Sequence, residues 1–207
     1  MGTAERSPTG RRGGTSSESP LAVVDRRRFS IDEFERLFEI GLIGPSERVE
    51  LIDGDLSVMS PIGSRDVAVV ARLDAMLQAR LAGRAIVFVQ SPVRLNAGNE
   101  PQPDLVPLPP RDDFYRSTLP QAADLLTVIE VMESSAAYDR RVKRPLYARA
   151  GVPEVWLVDL GRETVEVYRK PTADDQTERR VFGRGESFGP EASPDAVLRV
   201  NQVLGLD

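Results

Sequence analysis

The spacing of apolar residues predicts two helices in the early part of the chain. The first is predicted to begin after Ser30, which forms a capping-box pattern with Glu33, and to stop near Gly41. The second is longer, beginning at Ser64 and closing at Gly83. Its apolar stripe at helical spacing consists of Val67, Val70, Leu73, Leu77 and Leu81. Each helix is therefore expected to pack one face against a core.

Short apolar runs typical of strands lie between and after these helices. RVELI and DLSVM flank Asp53 and Gly54, a strong two-residue hairpin signal. AIVFVQ, VRL and DLVPL predict short strands interrupted by the loop AGNEPQP. DLLTVIEV is almost continuously apolar, which is typical of a central strand covered on both faces. VWLVDL and TVEVYRK predict a second hairpin turning at Gly161, whereas residues 174–194 are polar and rich in turn formers.

A further helix is predicted over residues 139–150, between the central strand and the second hairpin. Pro145 is disfavoured beyond the first turn of a helix, so this helix must either begin later or kink near Lys143. Asp139, Lys143 and Tyr147 recur every fourth residue and should share one helical face. The simplest interpretation of the first two is an exposed ion pair of little energetic value.

These elements predict one domain of the α/β (α+β) class. The chain shows no internal repeat and no interdomain linker, so residues 29–207 should form a mixed central sheet flanked by helices, with an N-terminal helix and β-hairpins. Residues 1–28 are predicted to be a disordered tail, since Gly, Ser, Thr, Pro and Arg dominate their first part.

Composition narrows the chemistry available to such a domain. The 207 residues include no cysteine and no histidine, which excludes disulfides, thiolate nucleophiles, imidazole bases and ordinary catalytic zinc sites. A metal would need oxygen ligands, which favours magnesium, manganese or calcium. The net charge is −5; because residues 1–28 carry +3, the remainder sums to −8, which weighs against nucleic-acid binding without excluding it. With no apolar run near the roughly 20 residues of a membrane span and no secretory signal, a cytoplasmic protein is expected.

Two carboxylates and a lysine stand out in the middle of the chain. Asp104 begins DLVPL, and Glu130 lies inside DLLTVIEV between apolar neighbours. Buried carboxylates are costly unless they are paired or bind a metal. A cation between them can polarise a phosphoryl oxygen, and Lys143 can orient a water or stabilise transition-state charge. The simpler alternatives are a turn carboxylate at Asp104 and a water-facing glutamate on an edge strand at Glu130.

Several ordered segments carry a resemblance to a known family: VELIDGDLSVMSP (49–61), QSPVRL (90–95) followed by PQPDL, IEVMESSAAYDRRVKRPLYARAGVPEVWLVDL (129–160) and VEVYR (165–169). From about Phe29 to Leu206 the chain resembles the Uma-type restriction endonucleases of the PD-(D/E)xK nuclease superfamily. The resemblance implies a restriction-endonuclease-like core and Mg²⁺-dependent hydrolysis of phosphodiester bonds, with Mn²⁺ as an alternative cation.

The resemblance also implies roles for individual residues. By position, Asp104 and Glu130 are the two acids of the motif. Lys143 is its lysine, displaced to the following helix, because Met132 occupies the usual place two residues beyond the glutamate. Glu50 matches a further acidic position that helps to bind the metal. The implied metal ligands are therefore Glu50, Asp104 and Glu130, and the implied catalytic residues are Asp104, Glu130 and Lys143.

Candidate substrate contacts surround this set: Gln90, Tyr138, Arg140, Arg144 and Tyr147. The tyrosines can stack on bases and the arginines can face phosphates, although packing and a solvated helix face are the ordinary alternatives. Asp66 stands about where many relatives carry a histidine. That departure concerns substrate contacts and leaves the metal-binding set intact.

The sequence therefore predicts a Mg²⁺-dependent endonuclease that acts on DNA. The alternative is a catalytically silent module on the same fold that binds nucleic acid or protein, and an RNA phosphodiesterase is a third interpretation. A homodimer is expected, because symmetric pairs are the commonest oligomers and two sites are needed to cut both strands.

Overall fold

The computed structural model describes residues 26–59 and 61–206. The helices are α1 (Ile31–Glu39), α2 (Ser64–Arg80), α3 (Ala136–Tyr138), α4 (Arg144–Arg149) and α5 (Val200–Leu204). The strands are β1 (Val49–Ile52), β2 (Asp55–Val58), β3 (Ile86–Val89), β4 (Leu105–Leu108), β5 (Val128–Met132), β6 (Glu154–Asp159), β7 (Thr164–Pro171), β8 (Gln176–Phe182), β9 (Ser187–Phe188) and β10 (Leu198–Arg199). The predicted tail over residues 1–28 lies outside the described residues except for its last three.

A mixed sheet of six strands occupies the centre, in the order β3–β4–β5–β6–β7–β8. β5 and β6 are parallel, and every other neighbouring pair in this sheet is antiparallel. Two separate hairpin-like pairs, β1–β2 and β9–β10, complete the strands. The predicted mixed sheet with flanking helices is confirmed, and β5 is an interior strand as its apolar run indicated.

Helices cover both faces of this sheet. On one face α2 and α5 bury residues such as Leu73 against Ile129 of β5. On the other, α4 buries residues such as Leu146 against Val128. Because side chains alternate along a strand, Glu130 lies on the same face as Val128, toward α4. None of the helices within the described residues is both long and apolar enough to cross a membrane.

The N-terminal helix and first hairpin follow the predicted turn chemistry. The Ser30 hydroxyl accepts the Glu33 N–H, and the Glu33 carboxylate accepts the Ser30 N–H, so the capping box is confirmed. Asp53 and Gly54 both have positive φ, 49° and 79°, as a tight two-residue hairpin turn requires. This turn joins β1 to β2 and fixes the strand that carries Glu50.

The helix predicted over residues 139–150 has a more complex shape. The helical stretch begins earlier, at Ala136, and residues Asp139–Lys143 form a wider π-helical turn before α4. Pro145 therefore lies in the first turn of α4, where a missing N–H is tolerated. The π turn resolves the conflict that the proline posed, and such turns are frequent at functional sites.

Two strand predictions near the centre are wrong in extent. VRL forms no named strand, because the N–H groups of Val93 and Leu95 donate to Pro101 and Asn99, and that of Arg94 to Pro120, instead of joining the sheet. DLLTVIEV pairs only from Val128, since Ala122–Asp124 form a short 3₁₀ turn ahead of it.

Two other predictions are wrong because the exposure of a residue depends on its exact place in the fold. One concerns a strand at the edge of the sheet, and the other a residue's position around the axis of α2. Residues 174–194 contain β8 and β9, and β8 is an edge strand whose mostly polar sequence gives little apolar signal. Val67 is exposed and Val69 is buried. At about 100° per residue, Val67 lies about 120° around the helix axis from Leu73, whereas Val69 lies about 40° away.

Candidate functional site

The strand register brings the two predicted acids together. Leu105 of β4 pairs with Ile129 of β5, so the antiparallel register continued by one residue sets Asp104 opposite Glu130. The Val131 N–H donates to Asp104 Oδ2 at 2.8 Å. Residues far apart in the chain therefore meet at one edge of the site, and Asp104 is more than a turn carboxylate.

Lys143 lies between two glutamates. Its ammonium is 2.8 Å from Glu50 Oε1 and 3.2 Å from Glu130 Oε1, and all three side chains are at most 5% exposed. Asp139 is also buried, so the interpretation of an exposed Asp–Lys pair is wrong. The interpretation of Glu130 as a water-facing residue on an edge strand is wrong as well, because β5 is interior.

Tyr147 orients Glu130 from the helix side. Its hydroxyl lies 2.5 Å from Glu130 Oε1 and donates to it, and the whole side chain is buried. The ring therefore has no open face for a base in this structure. The π turn and α4 together place Lys143 and Tyr147 on the same carboxylate oxygen.

Gln90 and Gln102 connect the acids through hydrogen bonds. Of these two glutamines, the sequence indicated only Gln90. The backbone N–H of Gln102 donates to Glu50 Oε1 at 2.7 Å, and its side-chain amide donates to the Gln90 carbonyl at 2.8 Å. Gln90 in turn donates from Nε2 to Asp104 Oδ1 at 3.2 Å and has a positive φ of 45°. A non-glycine residue in this region is strained and often marks a functional site. The signal for Gln102 was its position two residues before Asp104 in PQPDL, since such residues share a face of extended backbone.

Glu50, Asp104, Glu130, Asp139 and Lys143 line a pocket of about 510 Å³. Its lining comprises Arg48, Glu50, Ser57, Val58, Met59, Pro61, Ile62, Asp66, Asp104, Glu130, Val131, Glu133, Ser134, Ser135, Tyr138, Asp139 and Lys143. The volume is in the range of small-molecule and cofactor sites, about 300–1,000 Å³. Six acids and two basic residues are in this lining, so the wall is strongly acidic.

Burial and charge shift the titration of these groups. Burial raises the pKa of Glu130 well above its ordinary value despite Lys143, and the carboxylates of Asp139, Asp104 and Glu50 add to the effect. Burial also raises the pKa of Asp104. For Lys143 burial alone would lower the pKa, but Glu130, Glu50 and Asp139 raise it above its ordinary value. Lys143 is therefore an ammonium at neutral pH.

The remaining candidate contacts are divided between the pocket and other surfaces. Tyr138 lines the pocket, and its hydroxyl is 3.2 Å from Ser57 Oγ. Arg140 instead pairs with Asp159 and Glu166 of the sheet, away from the pocket lining. Arg144 pairs with Asp175 and stacks over Tyr168, also outside the lining. Asp66 lines the pocket from the first turn of α2.

The chemistry of the donor set fits a hard divalent cation. Carboxylate oxygens are the ligands that Mg²⁺ and Mn²⁺ prefer. The hydrogen bonds and ion pairs of Glu50 and Glu130 all go to their Oε1 atoms, so both Oε2 atoms lack a donor in the described part of the chain. Within residues 26–59 and 61–206, however, no three acidic side chains already converge as a metal-binding group. Lys143 takes the place between Glu50 and Glu130.

Comparisons with known proteins identify a family and a similar fold. A family model described as "Uma2: Putative restriction endonuclease" matches residues 31–201. The chain is also similar to the crystal structure of a putative nuclease belonging to DUF820 from Anabaena variabilis ATCC 29413, with a TM-score of 0.67 and 18% sequence identity over 86% of this chain and 98% of that one. At this identity the similarity concerns the fold. A comparison with curated proteins gave no match.

Proposed function

This chain belongs to the Uma2 family of putative restriction endonucleases, and we propose that it hydrolyses DNA phosphodiester bonds in the acidic pocket with Mg²⁺ or Mn²⁺ as cofactor. One observation carries the proposal: the ammonium of Lys143 lies between Glu50 and Glu130, and the buried carboxylates of Asp104 and Asp139 are close enough for its charge to act on them as well. So large an excess of buried carboxylate is costly without further positive charge. A divalent cation supplies that charge.

Asp104 and Glu130, helped by Glu50, would hold the cation. When bound, the cation would polarise a phosphoryl oxygen and activate a water. The surrounding residues fix the ligands in advance: Tyr147 holds Glu130, while Gln90 and the Val131 N–H hold Asp104. Holding these carboxylates in place beforehand favours the transition state, since it reduces the reorientation needed during the reaction.

Lys143 has the role of a charged donor. Because its pKa is raised, it does not act as the proton acceptor at neutral pH. Hydrolysis forms a bond between the water oxygen and phosphorus and breaks the bond to the leaving oxygen; the attacking water loses a proton to solvent, and the leaving oxygen takes one up from solvent. The ammonium orients that water and stabilises the negative charge that accumulates on the phosphoryl oxygens.

Nicking of supercoiled plasmid DNA tests the proposal. Wild-type protein should convert the plasmid to open circles with Mg²⁺ and not with EDTA, and an Asp104→Asn/Glu130→Gln double variant should lose at least about 100-fold in rate. An Asp112→Asn/Glu39→Gln variant removes the same charges from exposed positions and should cut normally. If the first double variant cuts as fast as wild type, the proposal is wrong.

A catalytically silent binding module is the second candidate, and the position of Lys143 between Glu50 and Glu130 favours it. In that case the ammonium would serve as the permanent counter-ion of the acids. Titration calorimetry with Mn²⁺ separates the two functions, because a nuclease site should bind Mn²⁺ and lose that binding in Glu130→Gln. A wild-type protein that binds no Mn²⁺ would favour the silent module.

A further inference from the structure

Arg48 is a pocket residue that neither the sequence motifs nor the metal set explain. It comes directly before β1, two positions ahead of Glu50, so the two side chains share one face of the hairpin. The backbone extends the hairpin to this residue, since the Met59 N–H donates to the Arg48 carbonyl at 2.9 Å. Ser57, which pairs with Glu50, lines the pocket on the same face.

The guanidinium of Arg48 has an unused donor. Its Nη2 atom is buried and has no hydrogen-bond partner, and its side chain forms no ion pair, in the part of the chain that the structure describes. Lys143, the other basic residue of the lining, is already bonded to Glu50 and Glu130. A buried donor without a partner costs about 1–3 kcal/mol, and more when it is charged. A ligand that enters this part of the pocket can supply the missing acceptor.

The surroundings indicate an anionic ligand. The guanidinium presents a planar set of donors that matches the oxygens of a phosphate. The hydroxyls of Ser57 and Tyr138 line the same pocket and provide further hydrogen-bonding groups. Six of the seventeen lining residues are carboxylates, which repel an anion. Because Lys143 is already engaged by two glutamates, Arg48 is the basic group of this lining that can offset the repulsion of a phosphate.

We propose that Arg48 binds a non-bridging phosphate oxygen of a DNA strand and so sets the position of the strand relative to Asp104 and Glu130. This inference rests on the proposed function for its choice of DNA as the ligand. It adds a phosphate anchor on the β1–β2 hairpin to the acids and lysine of the sheet and helix. The competing role is structural, with Arg48 serving only as a counter-ion for the neighbouring Asp104.

DNA binding by a variant that cannot cut separates these roles. Fluorescence anisotropy would follow a fluorescein-labelled duplex of about 20 base pairs binding to the full chain carrying Asp104→Asn/Glu130→Gln, in EDTA. Adding Arg48→Met should weaken binding about tenfold, as expected for one charge-assisted hydrogen bond. It should also reduce the slope of log K against log salt concentration by about 0.9, one phosphate contact. Arg48→Lys should recover part of the loss.

Arg180→Met is the matched control. Arg180 is exposed on β8, and among residues 26–59 and 61–206 it pairs only with the nearby Glu178, so its loss removes the same charge away from the pocket. Its affinity should stay within about twofold of the parent. The inference is overturned if the parent does not bind the duplex, if Arg48→Met and Arg180→Met have equal effects, or if Arg48→Met lowers only the melting temperature. Arg48-dependent binding without plasmid nicking would instead overturn the proposed activity and leave the anchor standing.

Discussion

Asp104 is held in surroundings that disfavour its charged form. Burial raises its pKa, and the hydrogen bonds from Val131 and Gln90, together with the charges of Lys143 and Arg48, offset that effect only in part. A folded-state pKa above the unfolded value means that folding binds a proton more tightly, so ionising this carboxyl at neutral pH destabilises the fold. Such a cost is characteristic of residues kept for function.

Asp104→Asn should therefore raise stability while abolishing activity. The neutral amide keeps an acceptor for the Val131 N–H, and Gln90 can rotate its own amide to match the other side. We expect the free energy of unfolding in EDTA at pH 7 to rise by about 1 kcal/mol, measured by urea denaturation, while plasmid nicking falls. A variant that is clearly less stable than wild type would show that Asp104 is a structural residue.

The sequence indicated some of the site residues and missed others for a physical reason. Glu130 and Asp104 were detectable because a carboxylate inside or beside an apolar run has few harmless explanations. Arg48 was not, since an arginine before a strand is common on surfaces, and Gln102 was marked only by its spacing from Asp104. Their importance depends on contacts with distant segments, such as the bond from Gln102 to Glu50.

At the level of elements, Glu166 joins the helical stretch to the sheet. This buried residue of β7 accepts hydrogen bonds from Arg140, which also pairs with Asp159, and from Arg179 of β8 and Tyr168. Burial alone would raise the pKa of Glu166, but these hydrogen bonds outweigh burial and hold it below the ordinary value of 4.5. The cluster therefore fixes the π turn that carries Lys143 against the sheet.

The lowered pKa predicts the pH dependence of this cluster. Above about pH 4.5 the carboxylate is ionised in both the folded and the unfolded chain, and its full stabilisation is present. As the pH falls below that value, the unfolded chain binds a proton first and the stabilisation is lost. Glu166→Gln should cost about 2 kcal/mol at pH 7 and progressively less below pH 4.5, measured as urea midpoints between pH 3 and 7.

Glu39→Gln, at the exposed end of α1, is the control for this series and should follow the wild-type profile. A constant difference between wild type and Glu166→Gln at every pH would show that the ionised carboxylate contributes nothing specific.

Element boundaries were predictable where local chemistry decides them. The capping box at Ser30 and the Asp53–Gly54 turn depend on neighbouring residues only, and both occur as predicted. The edge strand β8 and the π turn Asp139–Lys143 depend on what lies beside them in the fold. β8 buries only one side, and the π turn fits Lys143 between two glutamates, so neither produces a simple periodic signal.

At the scale of the whole molecule, the order of strands creates the site. The acids come from the β1–β2 hairpin, from the start of β4 and from the middle of β5, and the lysine comes from the helical stretch after β5. The family and the mixed α/β fold were predictable, because several ordered segments carry them over nearly the whole chain. The expected homodimer, the boundary of the N-terminal tail and the choice of DNA over RNA stay predictions.

Anomalous X-ray diffraction from crystals grown with Mn²⁺ tests the proposed metal site most directly. The account predicts an anomalous peak in the pocket with carboxylate oxygens of both Asp104 and Glu130 within about 2.5 Å. The cation would then share the neutralisation of the acids with Lys143. The same crystals of Asp104→Asn/Glu130→Gln should lack this peak. A wild-type crystal that shows Mn²⁺ only at surface carboxylates, with Lys143 still bridging Glu50 and Glu130, would contradict the account.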